Sequence, residues 1–324
     1  MTKNIFITGK IPEMGINKLK EKGYAVDVNP KSSIPTQKEI INFLKKKPYD
    51  AVLTLLTDRI DAKVFDAAPS VKLYANYASG FDNIDIKEAK NRGITVTNAP
   101  AERTSEAVAE HMIALMLALA TRIVEADKFV CKGKYKGWSP SIFIGTDIMG
   151  KTLGLIGAGH IGERVAHYCK GLGMKIIYSD VHRNEQIEKE CGAEYFDSVE
   201  EVLKRADVVS LHVPLLDSTR HLINETRLQL MKPTSFLINT SRGPVVDEKA
   251  LEKALRNKII SGAALDVFEF EPKIVPGLTK LDNVILTPHI ASASIETRNQ
   301  MAEIAVGNII DFLEGKTPQN IVNA

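Results

Sequence analysis

The chain has 324 residues, of which 44% are apolar and 25% charged, the usage of an ordinary globular protein rather than a disordered, collagenous or coiled-coil chain. That length exceeds what one hydrophobic core usually serves, so two domains of roughly 100–200 residues are expected. Forty-two basic residues against 40 acidic ones leave a net charge of +2, with no excess pointing to nucleic acid or a membrane surface.

Residues 1–9 form a short apolar run that reads as a strand rather than a signal peptide. Strand-like runs follow at 51–55, 73–78 and 94–97. Helical stretches separate them at 16–20 and 85–91, the latter ended by Gly93 in the manner of a C-terminal capping glycine. This alternation predicts crossover units and a parallel sheet. A long helical stretch is expected over 104–132. Its apolar part, 112–120, is too short to cross a bilayer, which takes about 20 apolar residues, and reads as a buried helix. A second series begins at Thr152, with strand candidates at 153–156, 175–179, 208–213, 236–239, 262–267 and 284–287. The last helix, 295–315, is amphipathic and can return to the first domain. Cys131, Cys169 and Cys191 are far apart and odd in number. They suit a reducing compartment, fit neither a disulfide framework nor a zinc site, and support a soluble, cytoplasmic protein with no metal.

Two glycine motifs compete. Residues 145–152 match the phosphate-loop pattern G-x-x-x-x-G-K-[ST], but the Lys-Thr pair leads into a strand and not a helix, so a turn before a strand is the favoured reading over an ATPase. Gly157-Ala158-Gly159-His160-Ile161-Gly162 follows an apolar strand and opens a helix, as a dinucleotide loop does. Gly157 permits the tight turn, Gly159 the approach of a pyrophosphate, and Gly162 close packing of helix on strand. The helix N-terminus supplies donors and partial positive charge. Asp180 ends the next strand, 18 residues after Gly162, at the spacing of a ribose-binding acid. A carboxylate there repels a 2′-phosphate, so NAD(H) is expected over NADP(H). His182 and Arg183, close behind, can soften that preference.

Three later strand ends carry groups suited to hydride transfer on a 2-oxo acid: a guanidinium, Arg242, in 239–243; a carboxylate, Glu271, in 266–272; and an imidazole, His289, in 287–290. Singly each has a bland alternative as a turn, solvated or core residue. Their arrival at successive strand ends downstream of a dinucleotide loop raises all three together.

These segments, with Asp180 and with 76–85 (Asn-Tyr-Ala-Ser-Gly-Phe-Asp-Asn-Ile-Asp), resemble the D-isomer-specific 2-hydroxyacid dehydrogenases over almost the whole chain, most of all glyoxylate/hydroxypyruvate reductases. The resemblance implies two parallel-sheet α/β domains, Rossmann-like and flavodoxin-like, separated by a cleft. It divides the chain into a substrate-binding domain (1–99 plus 292–324) and a dinucleotide-binding domain (100–291). Arg242 would clamp the carboxylate and carbonyl of a small 2-oxo acid. His289 would be the acid in reduction and the base in oxidation. Glu271 would hydrogen-bond His289 and raise its pKa, and Ser79 and Gly80 would offer amides to the carboxylate. Thr104, Gly157, Gly159, His160, Ile161, Gly162, Asp180, Thr240 and Asp266 would form the cofactor set, with Asp266 at the nicotinamide carboxamide. Ser79 departs from the valine common in related reductases, and Asp180 stands where NADPH-using relatives carry arginine or a small residue. A homodimer is implied. Trp138, the only tryptophan, would then line the partner's pocket, or else anchor packing in its own chain. The alternatives are an NAD(H)-sensing corepressor-like protein of the same fold and a 2-ketogluconate-type reductase.

Overall fold

The computed structural model describes residues 2–31 and 33–323. Met1, which opens the expected N-terminal run, and Ala324, which ends the expected first domain, lie outside them. The chain divides into two compact units, Met1–Thr104 with Ala293–Ala324, and Ser105–Ser292.

The first unit is built on five parallel strands: β1 (Asn4–Ile7), β2 (Ala25–Val28), β3 (Ala51–Leu55), β4 (Leu73–Tyr77) and β5 (Thr95–Thr97), in the order β2-β1-β3-β4-β5. That is the flavodoxin-like order, with its switch point between β1 and β3. Alternate residues serve opposite faces. Ile5, Ile7, Leu53, Leu73 and Ala75 pack with the helices Glu13–Glu21 and Ile295–Leu313, while Phe6, Val52, Tyr74 and Val96 pack with Gln37–Leu44 and Ala62–Ala67. The C-terminal helix thus belongs to this unit. Asp85 caps the helix Ile86–Asn91, and Gly93, at φ +62°, follows its end as the pattern predicts.

The second unit carries seven parallel strands: β6 (Thr152–Ile156), β7 (Lys175–Ser179), β8 (Glu194–Tyr195), β9 (Val208–Leu211), β10 (Phe236–Asn239), β11 (Gly262–Leu265) and β12 (Val284–Leu286). The order is β12-β11-β10-β9-β6-β7-β8, the doubly wound Rossmann order with one further strand, whose switch point lies between β6 and β9. Leu237, Ala263 and Leu265 face one apolar layer, and Leu153, Leu155, Ile238 and Ala264 the other. Both faces are covered, which is why these strands read as unbroken apolar runs.

One expectation needs correction, and two strands add to those expected. The helical stretch over 104–132 is two helices, Glu102–Thr121 and Ile123–Cys131, bent by 66°. Arg122 breaks it by taking a left-handed conformation, φ 57°, with its guanidinium on Glu125. Strands β2 and β8 were absent from the sequence reading. Both are edge strands, and Asp27 and Glu194 interrupt their apolar character. No single helix among the described residues is long and apolar enough to cross a membrane.

Candidate active site

The carboxyl ends of the second unit's strands present the expected groups side by side. In an open parallel sheet this edge is where ligands bind. Gly157 follows β6 at φ +95°, and a Cβ there would lie 2.6 Å from the His212 carbonyl oxygen, just beyond β9. A Cβ on Gly162 would lie 2.4 Å from the Gly157 oxygen. These two glycines are therefore required by packing. Gly159 differs: a Cβ there would meet nothing within 4 Å. It caps the helix His160–Gly171 with no side-chain hydrogen bond, so the first helical N–H groups at His160, Ile161 and Gly162 keep their capacity for an external acceptor. The residues present thus fit a pyrophosphate.

Asp180 ends β7. Its carboxylate accepts the Ala158 N–H at 2.6 Å and the His182 N–H at 3.2 Å, which ties it to the glycine loop. Arg183 is engaged elsewhere, bidentate on Glu188 at 2.7 and 3.1 Å. The hydroxyl oxygens of Thr104 and Thr240 are buried and lack partners among the described residues, a deficit that a bound polar ligand can make good.

The residues 145–152 form no anion cradle. The Thr146, Gly150 and Lys151 amides donate to Ala120, Gly173 and Ile148 carbonyls, and the Thr152 amide to Asp207. The segment is a turn before β6.

Beyond β10, the Asn239 side chain shapes the turn that carries Arg242. Its oxygen takes the Ser241 N–H at 3.0 Å and hydroxyl at 2.8 Å, and its amide donates to the Arg242 carbonyl at 3.0 Å. A Cβ on Gly243 would stand 1.9 Å from the Phe268 carbonyl, so only glycine lets this turn lie against the segment after β11. That segment brings Glu271 to His289, with Nδ1 3.1 Å from Oε2, and the Phe268 N–H holds the other carboxylate oxygen at 3.0 Å. Burial works to raise the Glu271 pKa. The hydrogen bond and charge of His289, the Phe268 amide and the Arg242 charge outweigh it and hold the carboxyl below its ordinary value. Glu271 is therefore in contact with His289, feels the Arg242 charge, and is ionised at neutral pH. His289 itself sits at φ +55°, on a turn fixed by Asp266. Ser79 and Gly80 belong to the first unit, beyond β4. Their carbonyls accept from the Asn98 and Asn76 side-chain amides at 2.6 and 2.9 Å, and no acceptor among the described residues takes either N–H.

Residues 113–291 match the model of the D-isomer specific 2-hydroxyacid dehydrogenase NAD-binding domain. The chain belongs to that family. It is 50% identical over 326 residues to a glyoxylate reductase of Korarchaeum cryptofilum, covering 100% of this chain and 96% of the relative. A D-lactate dehydrogenase of Aquifex aeolicus, solved with NAD and lactic acid, superposes with a TM-score of 0.85 at 34% identity, covering 99% of each chain. An NADPH-dependent glyoxylate/hydroxypyruvate reductase of Sinorhizobium meliloti, solved with citrate, gives 0.85 at 30% identity, covering 99% of this chain and 97% of that one. The protein is thus an oxidoreductase of 2-hydroxy acids with a nicotinamide-dinucleotide-binding domain.

Several groups in this dehydrogenase escaped the sequence reading. His212 lies under the glycine loop with Nε2 2.8 Å from the Ser210 hydroxyl, and burial pushes its pKa down to about 4. His111, midway along Glu102–Thr121, lies 3.2 Å from the Thr287 hydroxyl and 3.5 Å from Asp266. Glu248 is buried, its pKa raised by that burial, and it accepts the amides of Glu269 and Val275, holding the segment on which Glu271 rides. A histidine on an apolar helix carries no sequence mark of a partner 155 or more residues away. The Trp138 side chain is 82% exposed in its own chain, so packing within the chain is not its role.

Proposed function

We propose that this dehydrogenase reduces a small 2-oxo acid, glyoxylate or hydroxypyruvate, with NADH. The nicotinamide, when bound, supplies the hydride. His289 donates a proton to the carbonyl oxygen as it becomes a hydroxyl, and Glu271 fixes the imidazole and balances its positive charge. Arg242 holds the carboxylate and polarises the carbonyl, since a guanidinium presents paired donors in a rigid fork. In oxidation the same imidazole takes the proton back. Ser79 and Gly80 of the first unit, the substrate-binding domain in this reading, offer their amides to the carboxylate. The observation that carries the proposal is the His289–Glu271 contact of 3.1 Å with the Arg242 charge acting on the same carboxylate. Proton transfer by a positioned group of this kind contributes roughly 10²–10⁴-fold.

In the second unit, the dinucleotide-binding domain, the amides of His160 and Ile161 take the pyrophosphate beside Gly157, Gly159 and Gly162. Thr104 and Thr240 give their unpartnered hydroxyls to the cofactor. The Asp266 carboxylate already takes three donors, Thr287, Ile290 and Ala291, so a carboxamide contact has to share one of its oxygens. The preference for NADH over NADPH is supported by Asp180, whose carboxylate faces the ribose position in the motif, and by the engagement of Arg183 with Glu188, which leaves that cation paired rather than turned to a 2′-phosphate.

We also infer a cytoplasmic homodimer. Ile123, Val130, Trp138 and Ile144 are each more than half exposed, and the helix Ile123–Cys131 buries none of its residues in its own chain. Exposed apolar side chains gathered in this stretch of the chain support an interface there, and Trp138 would reach the partner's pocket from it.

A panel of glyoxylate, hydroxypyruvate, pyruvate and 2-ketogluconate, run with NADH and NADPH side by side, tests the proposal. Rapid NADH oxidation with the two small acids, and a kcat/KM for NADPH at least roughly tenfold lower, is expected. Cofactor binding without turnover on any of the four acids contradicts it.

A further inference from the structure

The imidazole proposed as proton carrier sits on backbone that a side chain seldom adopts. His289 has φ +55°, a costly left-handed conformation which persists only where the surroundings over-determine it. Here they do. The His289 N–H donates to the Asp266 carbonyl at 2.8 Å and the Thr287 carbonyl at 3.1 Å. The next two amides, Ile290 and Ala291, donate to the two oxygens of the Asp266 carboxylate at 2.9 and 2.7 Å. The Thr287 hydroxyl donates to Asp266 Oδ1 at 2.6 Å. Behind it, His111 Nε2 lies 3.2 Å from the Thr287 oxygen and 3.5 Å from Asp266 Oδ1.

Asp266 is completely buried, and the groups around its carboxylate come from two segments, 287–291 and the helix Glu102–Thr121. A hydroxyl has one proton to give and lone pairs to receive. Because Thr287 gives its proton to Asp266, it is left to accept from His111. The contacts therefore form a directed chain from the helix Glu102–Thr121, through Thr287, to the carboxylate that pins the turn. The strand below does not need this chain: β12 is laddered to β11 by backbone bonds alone, and the Thr287 N–H continues the ladder to the Leu265 carbonyl at 2.9 Å.

We propose that Thr287 and His111 are positioning residues for proton transfer. They hold the Asp266 carboxylate in the orientation that keeps His289 left-handed, with its ring on Glu271. This rests on the reading of His289 as the proton carrier. Loss of the Thr287 hydroxyl leaves the sheet intact and lets the turn relax, so proton delivery slows while cofactor binding does not.

The test compares Thr287→Val, which keeps the shape and removes the hydroxyl, with Thr287→Ser, which restores it, and with His289→Asn, all assayed with NADH and glyoxylate in H2O and in D2O. Expected for Thr287→Val is a fall in kcat of roughly 10–100-fold, the cost of a misplaced reacting group. The NADH dissociation constant should stay within about twofold, which is under 0.5 kcal/mol. The solvent isotope effect on kcat should rise, and Thr287→Ser should recover most of the turnover. A merely structural role would not raise the isotope effect. Wild-type kcat in Thr287→Val, or an equal loss in Thr287→Ser, overturns the proposal. Should Thr287→Val fail to fold, His111→Phe and His111→Gln form a second pair, the first removing the donor and the second keeping one. Wild-type kcat and isotope effect in His111→Phe overturn the proposal equally. Turnover surviving in His289→Asn overturns the proton-carrier reading and this proposal with it. Loss there beside a normal Thr287→Val overturns the positioning role alone.

Discussion

Lowering the pH should loosen the second unit through one imidazole. The His212 ring lies partly buried where β9 ends, with Nε2 2.8 Å from the buried Ser210 hydroxyl and its own carbonyl against Gly157. Burial pushes its pKa from 6.5 down to about 4. Between those two values the unfolded chain binds the proton and the folded chain does not. Stability therefore rises with pH across this window, is fully present above about 6.5, and is lost as pH falls toward about 4. At about 1.4 kcal/mol per pH unit the ceiling on this loss is about 3 kcal/mol. Roughly 2 kcal/mol of it falls between pH 7.5 and 5, where most carboxylates change little. For a unit of this size that corresponds to a fall in Tm of about 4–8 °C. Urea unfolding of the wild type and of His212→Gln at pH 7.5, 6 and 5 isolates the effect, because glutamine keeps a polar nitrogen near Ser210 but does not titrate. The wild type should lose about 2 kcal/mol more than the variant over that range. Parallel stability curves for the two proteins would refute the reasoning.

Other predictions concern the loops. Gly159→Ala meets open space, so Tm should hold within a degree or two while NADH affinity drops; Gly162→Ala collides with the Gly157 carbonyl and should cost about 1–3 kcal/mol of stability, and a reversed order in thermal melts and NADH titrations contradicts the assignment of the two glycines. Arg242→Ala should lower kcat/KM for glyoxylate by at least roughly 10²-fold, a charge-assisted pair of hydrogen bonds, with NADH binding kept; near-normal kinetics would remove its clamp role. Glu271→Gln takes away the ionised partner of His289, and steady-state assays should show kcat reduced by roughly 10–100-fold; an unchanged kcat would make that contact incidental.

The two sheets were legible in the sequence because their inner strands are covered on both faces and show as apolar runs between helices. Strands β2 and β8 were not, because an edge strand covered on one side tolerates Asp27 or Glu194 and loses the pattern. The break at Arg122 was hidden for a related reason: arginine is a good helix former, and only its left-handed backbone ends the helix. Of the site, Gly157, Gly159 and Gly162 announce themselves by spacing, and Arg242, Glu271 and His289 by their place just after strands. The groups that hold them do not. Asn239 and Gly243 look like ordinary turn residues until the backbone of Phe268 is seen packed on the glycine. His111 and Thr287 are 176 residues apart, and nothing local to either marks the other. Trp138 left two roles open in the sequence, and its exposure removes one.

Proton transfer in this enzyme turns on one imidazole. His289→Asn, purified as the full chain, should bind NADH with a dissociation constant within about twofold of wild type by fluorescence titration, while single-turnover reduction of glyoxylate slows by at least roughly 10²-fold. Binding and single-turnover rates both at wild-type levels would contradict it.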